Sequence, residues 1–383
     1  MPINTFAPIK NNVPVLNNST VTTPKAQTTQ SVESKGLSTS AKVGIGAAAV
    51  GAITIGVLLA KGKFSQAKQL AEHIDFKDAK TLEEAKKFAK ENLGINSYNL
   101  TNLDIANYVN EALVNITNKN KGKQIFNKIN TLPKEHVGWF SVRGKCLSVN
   151  ESKVLELTNI QALTQKYNDV LTRVDLSTMS LTSSQQELLK KAGKNIANLT
   201  MKEKIYLSDM LGGICEHEKM STYSFFKDAL HNKEVEEFLA KNNLPQDFET
   251  FKALSPEEQG GILDKIFENT NYKTSVPDFG AFYPINHEMG HSLHLENVGC
   301  KKFNKYVVSV SGDPDKAKQL MTKKYDEFSK EEPEWHMLEF VSKYSMFSPG
   351  EAVAEIFAGL QNGVKFNDEI MALYKKYGGP IVG

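Results

Sequence analysis

The pattern of apolar and polar positions divides the chain into stretches of different character. Residues 1–42 are rich in Thr, Ser, Asn, Gln and Pro and hold few large apolar side chains. Such a stretch buries too little surface to offset the entropy of ordering, and it reads as a disordered tail. Residues 43–60 are the opposite, an uncharged run of Val, Ile, Leu, Ala and Gly in which Thr54 is the only polar side chain, with Lys42 before it and Lys61 and Lys63 after it. As a helix the run spans roughly 27 Å, close to a hydrocarbon core once the flanking lysines snorkel, and it predicts a single transmembrane helix.

From about Phe64 onward the period is helical. Thr81-Leu82-Glu83-Glu84 has capping-box spacing, and Leu82, Ala85, Phe88 and Ala89 continue it as one apolar stripe. Further helices are predicted at 103–116, 158–174, 185–197, 202–219 and 225–240, punctuated by Pro133, Gly138, Gly144, Pro245 and Pro256. Apolar alternation at 137–147 and 279–285 predicts strands, the second at a sheet edge because Pro284 cannot donate to a ladder. The expected fold class is mainly α, with the membrane helix at 43–60, a helical region of unknown role at 64–270 and a C-terminal domain at 271–383.

Composition changes this picture in three places. With 383 residues and 40% hydrophobic side chains, the chain can fill real cores. Its formal net charge is +2, and Arg143 and Arg173 are the only arginines, so the forked donors that read phosphates and bases are nearly absent and no nucleic-acid partner is expected. Cys146, Cys215 and Cys300 are odd in number and far apart, which excludes a disulfide scaffold and predicts buried free thiols. More lysines follow the apolar run (Lys61, Lys63, Lys68, Lys77, Lys80) than precede it (Lys25, Lys35, Lys42), which leans towards a single-pass protein with a cytoplasmic C-terminal body. Gly44 with Ala48, and Ala47 with Gly51, set small residues four apart, a spacing that lets two such helices self-associate.

The candidate chemistry lies near the C-terminus, in His287-Glu288-Met289-Gly290-His291. On a helix His287 and His291 share a face and can aim two imidazole nitrogens at one ion, and Glu288 lies beside that face, where a carboxylate can take a proton from water. The expected cofactor is Zn2+, which needs a third protein ligand. The extension that adds a Gly at 294 and a His at 297 is excluded, because those positions are His294 and Asn297. Ser348-Pro349-Gly350-Glu351 opens a helix that puts Glu351 and Glu355 on one face, so that Glu351 can ligate while Glu355 accepts the free N–H of a liganding histidine. Two competitors stay open. Ser348-x-x-Glu351 is also a capping box, in which the carboxylate would turn back to its own helix start, and His336 with Glu339 is a rival ligand pair. His294 is expected to be exposed or to support the site, and His217 to be structural.

The pentad, followed by Tyr344 and by Glu351-Ala352-Val353-Ala354-Glu355-Ile356-Phe357-Ala358, resembles the gluzincin-type catalytic domain of anthrax toxin lethal factor and its relatives, which are zincin-like metallopeptidases. The resemblance covers about residues 271–383 and implies an α+β zincin-like fold there. It implies that His287, His291 and Glu351 hold zinc, that Glu288 is the general base, that Tyr344 stabilises the oxyanion and that Glu355 supports a ligand. Nothing in residues 1–270 resembles the toxin's delivery domains, so its substrate is not carried over. The expectation is a zinc-dependent endopeptidase acting on a peptide or protein and anchored in a membrane through residues 43–60. The alternatives are a catalytically inactive zincin-like membrane scaffold and a secreted toxin or effector protease.

Overall fold

The structure is a computed structural model that describes residues 73–120, 124–134, 140–143, 145–307 and 314–381. The predicted tail at 1–42 and membrane helix at 43–60 lie outside the described residues. Among the described residues, no helix is long and apolar enough to cross a membrane.

The described chain is mainly helical, as its periodicity predicts, and it begins with α1 (Leu82–Asn92), β1 (Ser97–Tyr98), α2 (Leu103–Lys119), β2 (Lys128–Thr131), β3 (Phe140–Arg143) and β4 (Cys146–Val149). The four strands form one mixed sheet in the order β1-β2-β4-β3, parallel except for β3, which runs antiparallel to β4 with Phe140 opposite Val149 and Arg143 opposite Cys146. The alternation predicted at 137–147 is therefore realised as the β3–β4 pair, and β3 is the edge of the sheet. Ile129, Leu147 and Val149 point into the same core as Ile105, Val109 and Ala112 of α2.

A helical stretch follows, with α3 (Glu151–Leu157), α4 (Ile160–Arg173), β5 (Met179–Ser180), α5 (Ser183–Asn195), α6 (Met201–His217), α7 (Thr222–Ala229), α8 (Lys233–Lys241), α9 (Phe248–Lys252), α10 (Pro256–Asn269) and β6 (Thr274–Ser275). Its boundaries are set by side-chain caps. Thr182 with Gln185, Thr200 with Glu203 and Ser255 with Glu258 make full capping boxes. The single helix predicted at 225–240 is two, because the Asn232 side chain accepts from Glu234 N and Val235 N and starts α8 afresh. Helices α4 to α6 enclose one core around Leu163, Leu188, Leu207 and Leu211, and α7 to α10 enclose another around Phe226, Leu239, Phe251 and Ile266.

The remaining elements are α11 (Tyr283–Val298), α12 (Cys300–Tyr306), α13 (Pro314–Glu331), two 3-10 turns at Trp335–Phe340 and Tyr344–Phe347, α14 (Pro349–Gln361) and α15 (Asp368–Lys376). The strand predicted at 279–285 does not form. Pro284, taken as a sign of a strand edge, sits in the first turn of α11, where a missing N–H costs nothing, and Ile285, Met289 and Leu293 enter the core at four-residue spacing. The largest core joins this C-terminal part to the sheet, with Ile285, Met289, Val353 and Phe357 packed in one cluster with Ile105, Leu147 and Val149. The packing therefore runs across the boundary drawn at residue 270.

Asp278 ties these parts together just ahead of α11. Its carboxylate accepts from Thr182 Oγ1 and Tyr206 Oη, each at 2.6 Å, and its carbonyl accepts from Asn362 Nδ2 at 2.6 Å. Asn362 caps the end of α14, so a single aspartate links α5, α6 and α14 to the start of α11. Helices α11 and α14 then cross closely at Gly290. A methyl group placed there would meet Ala354 Cα at 2.9 Å, Ala354 O at 3.2 Å and Phe357 Cβ at 3.3 Å. The obstacle is backbone and cannot rotate away. Gly290→Ala should therefore lower the stability of the fold by about 1–3 kcal/mol through overpacking, read as an earlier denaturant midpoint with an unchanged slope.

Candidate metal centre

The α11 period brings His287 and His291 to one buried face, with ring centroids 4.7 Å apart and planes nearly perpendicular. Helix α14 crosses that face and begins at Ser348, whose Oγ accepts from Glu351 N at 3.3 Å. Only this half of the capping box forms. The Glu351 carboxylate turns away from its own helix start, and its Oε2 lies 3.3 Å from His287 Nε2 and 3.2 Å from His291 Nε2. Three ligand atoms about 2.0–2.1 Å from a tetrahedral ion stand about 3.3 Å from one another. The two His-to-Glu separations match that edge, and the three side chains form the one His/Cys/Asp/Glu group among the described residues suited to hold a metal ion.

The surroundings hold these donors in place. His287 Nδ1 lies 2.7 Å from Glu355 Oε1, off the ideal hydrogen-bond line, and Glu355 also accepts from Tyr283 Oη at 2.6 Å and Ser342 Oγ at 2.8 Å. Glu355 is 0% exposed, so these contacts stand in for water around its two oxygens. Burial alone would depress His287, yet Glu351 and Glu355 hold its pKa well above the usual histidine value. Burial likewise would raise Glu351, and His291 and His287 pull it far below the usual carboxylate range. Two imidazoles and a carboxylate packed this tightly form a site in which a divalent cation can take the place of a proton.

Two further candidates line the same place. Glu288 is half-buried, and burial raises its pKa, while His291, His287 and the Val142 amide of the edge strand β3 favour its charged form. The Tyr344 ring lies 5.6 Å from His287, and the residue is 39% exposed, so its face borders both the ligands and the outside. Nearby Glu351 above all, then burial, Glu288 and Glu355, push its phenol well above the ordinary tyrosine value, which keeps the hydroxyl a donor.

The other residues singled out by sequence lie elsewhere. His294, expected to be exposed or to support the site, is fully buried, donates Nε2–H to Tyr377 O at 2.9 Å and stacks on Tyr306. The rival pair is engaged in packing, since Glu339 accepts from Ser221 and Ser224 at the start of α7 and His336 stacks on Phe248. His217 is buried, packs edge-on against Phe225 and is depressed to about 4 by burial. The three cysteines are unpaired as expected, but half-buried rather than buried, because each sits on a part-exposed face of its element. Sequence reasoning missed Tyr283 and Ser342, the partners of Glu355, and the Val142 amide that meets Glu288. Tyr283 carried a faint signal, standing one helical turn before His287; Ser342 carried none.

Comparisons with protein-family models, with curated proteins and with solved structures return no match for this chain.

Two measurements test the site as a metal centre. Equilibrium dialysis should find about one divalent ion per chain, lost in Glu351→Ala and weakened about 10–100-fold in Glu355→Gln, which leaves the ligands but disturbs the His287 contact. In the metal-free protein, His287 keeps its proton to a higher pH in the folded chain than at the unfolded value of about 6.5, so that proton stabilises the fold fully below this pH and the contribution is lost as pH climbs through the raised folded value. Thermal midpoints of chelator-treated protein should fall from pH 6.5 upward, and His287→Gln should flatten that slope.

Proposed function

We propose that this chain is a zinc-dependent endopeptidase whose centre is built on α11 and α14. The observation that carries the reading is the convergence of His287 Nε2, His291 Nε2 and Glu351 Oε2 within 4.8 Å of one another, both His-to-Glu separations matching a tetrahedral site, with Glu288 one residue along the same helix. Two imidazoles and one carboxylate, leaving room for a further ligand, suit catalytic zinc. The motif likeness to gluzincin-type domains supports the same chemistry and says nothing of the substrate.

When bound, zinc supplies an acidified water and a positive charge for the substrate carbonyl. The chain's own residues supply the rest. Glu288, with its pKa raised by burial, would take up a proton on its carboxylate as the nucleophile forms and return it to the departing amine. Tyr344 keeps its hydroxyl proton and can donate to the oxygen on which negative charge grows. Glu355 holds the His287 ring in its liganding orientation. The edge strand β3, whose Val142 amide already reaches Glu288, replaces the 279–285 segment as the place where an extended peptide would add as a further strand. In this reading residues 43–60 tether the body to a membrane, and the lysine excess after them favours the cytoplasmic side.

The test separates an enzyme from an inactive scaffold of the same shape. Glu288→Gln should retain the metal and abolish peptide cleavage, whereas Tyr344→Phe should lower kcat by about 10–100-fold with little change in KM. Full zinc loading with no cleavage of a diverse peptide library by the unaltered chain would identify the scaffold instead.

A further inference from the structure

A cavity of about 260 Å³ opens between α6, the loop ahead of α11 and the two 3-10 turns, and the chemistry above makes no use of it. Pockets for whole small molecules begin at about 300 Å³, so this one is on the scale of a single long side chain with its water. It shares Tyr283, Tyr344 and Glu355 with the metal centre, which makes it the neighbour of any bond presented there.

Its charges are one-sided. Asp209, Glu216, Glu339 and Glu355 line it against the single ammonium of Lys166, which donates to Ser208 O at 2.7 Å. Glu339 and Glu355 are each held by hydroxyl donors. Asp209 is not: its Oδ2 is buried and accepts no hydrogen bond among the described residues. Burial, opposed by Lys166 and reinforced by Glu355, raises this carboxyl to about 8. A buried carboxylate oxygen left without a hydrogen bond is costly, and a donor-bearing cation that enters and pairs with it relieves the cost that Lys166, at a distance, relieves only in part. Val276, Pro277 and Phe279 also line the cavity and suit the methylene stem of such a side chain.

We infer that the cavity receives the ammonium or guanidinium side chain of a substrate residue adjoining the bond to be cleaved, with Asp209 as its counter-charge. The inference rests on the peptidase reading and adds a substrate class, peptides with a lysine or arginine next to the cleaved bond. Asp209 is the specificity-determining residue, carried by α6 in the helical region whose role the sequence leaves unread.

The test uses the full zinc-loaded chain and peptide pairs that differ only in lysine or norleucine at each position flanking the cleaved bond. At one position the lysine peptide should be favoured in kcat/KM by about tenfold or more, the size expected of a charge-assisted contact. Asp209→Asn should bring that ratio close to one. Gly213→Leu is a second route, because Gly213 lines the cavity, a Cβ there meets nothing within 4 Å and the longer side chain would take up cavity space while a helix-weakening glycine is removed, and it should collapse the ratio equally. The same peptides are also titrated calorimetrically into zinc-loaded Glu288→Gln, with and without Asp209→Asn, so that binding is read without turnover. Cleavage with no basic preference near the bond, or a preference that survives both variants, overturns the inference and leaves the peptidase standing. Failure to cleave any peptide, with lysine-selective binding that depends on Asp209, retires the peptidase and with it the place beside a cleaved bond, and keeps only Asp209 as the counter-charge of a bound basic side chain. Equal binding of the two peptides overturns that assignment outright.

Discussion

The site depends on one steric constraint, the close crossing of α11 and α14 at Gly290 and Ala354. The crossing sets how far Glu351 stands from the imidazoles, and it exists because Gly290 presents no side chain to the Ala354 backbone. With a larger residue the helices would separate, and a separation of a few tenths of an ångström is a large fraction of the tolerance of a metal ligand. The two-helix contact is in turn buried against the sheet through Met289, Val353 and Phe357, so the apolar core fixes the geometry of the polar cluster.

Electrostatics explain why the cluster is built in pairs. Glu351 and Glu355 are both removed from water, and each is balanced by a different nitrogen of His287, with His291 adding to Glu351 and two hydroxyls adding to Glu355. Without these partners two carboxylates one helical turn apart would repel in a medium of low polarity and protonate. A dication held there, as proposed above, would meet the same need as the cationic histidine.

Much of this was legible in the sequence because it is local. The pentad, the Ser348 start and the four-residue step from Glu351 to Glu355 are properties of single helices, and so is the Thr81 cap that opens α1, whereas α10 behind Ser255 reads only as a break at Pro256. What was not legible is what depends on distant neighbours. Pro284 is compatible with a strand edge and with a first helical turn, and only the burial of Ile285 and Met289 decides between them. Ser342 reaches Glu355 through a fold-back of the 3-10 turns, and β3 reaches Glu288 across more than a hundred residues, so neither pairing has a spacing to read. The likeness beginning near residue 271 suggested a domain boundary there, whereas Asp278 and the shared core bind the preceding helices and the sheet into the same body.

The half-formed cap at Ser348 frees the Glu351 carboxylate from holding its own helix together. Because Ser348 Oγ alone satisfies the Glu351 amide, the beginning of α14 is secured by a hydroxyl and owes nothing to the carboxylate it carries. Helix integrity and ligand geometry are thereby uncoupled at this point of the chain. On the proposed metal-centre reading, a chelator would leave the turn that presents the third donor wound, a reversible socket rather than a fold rebuilt at each loading.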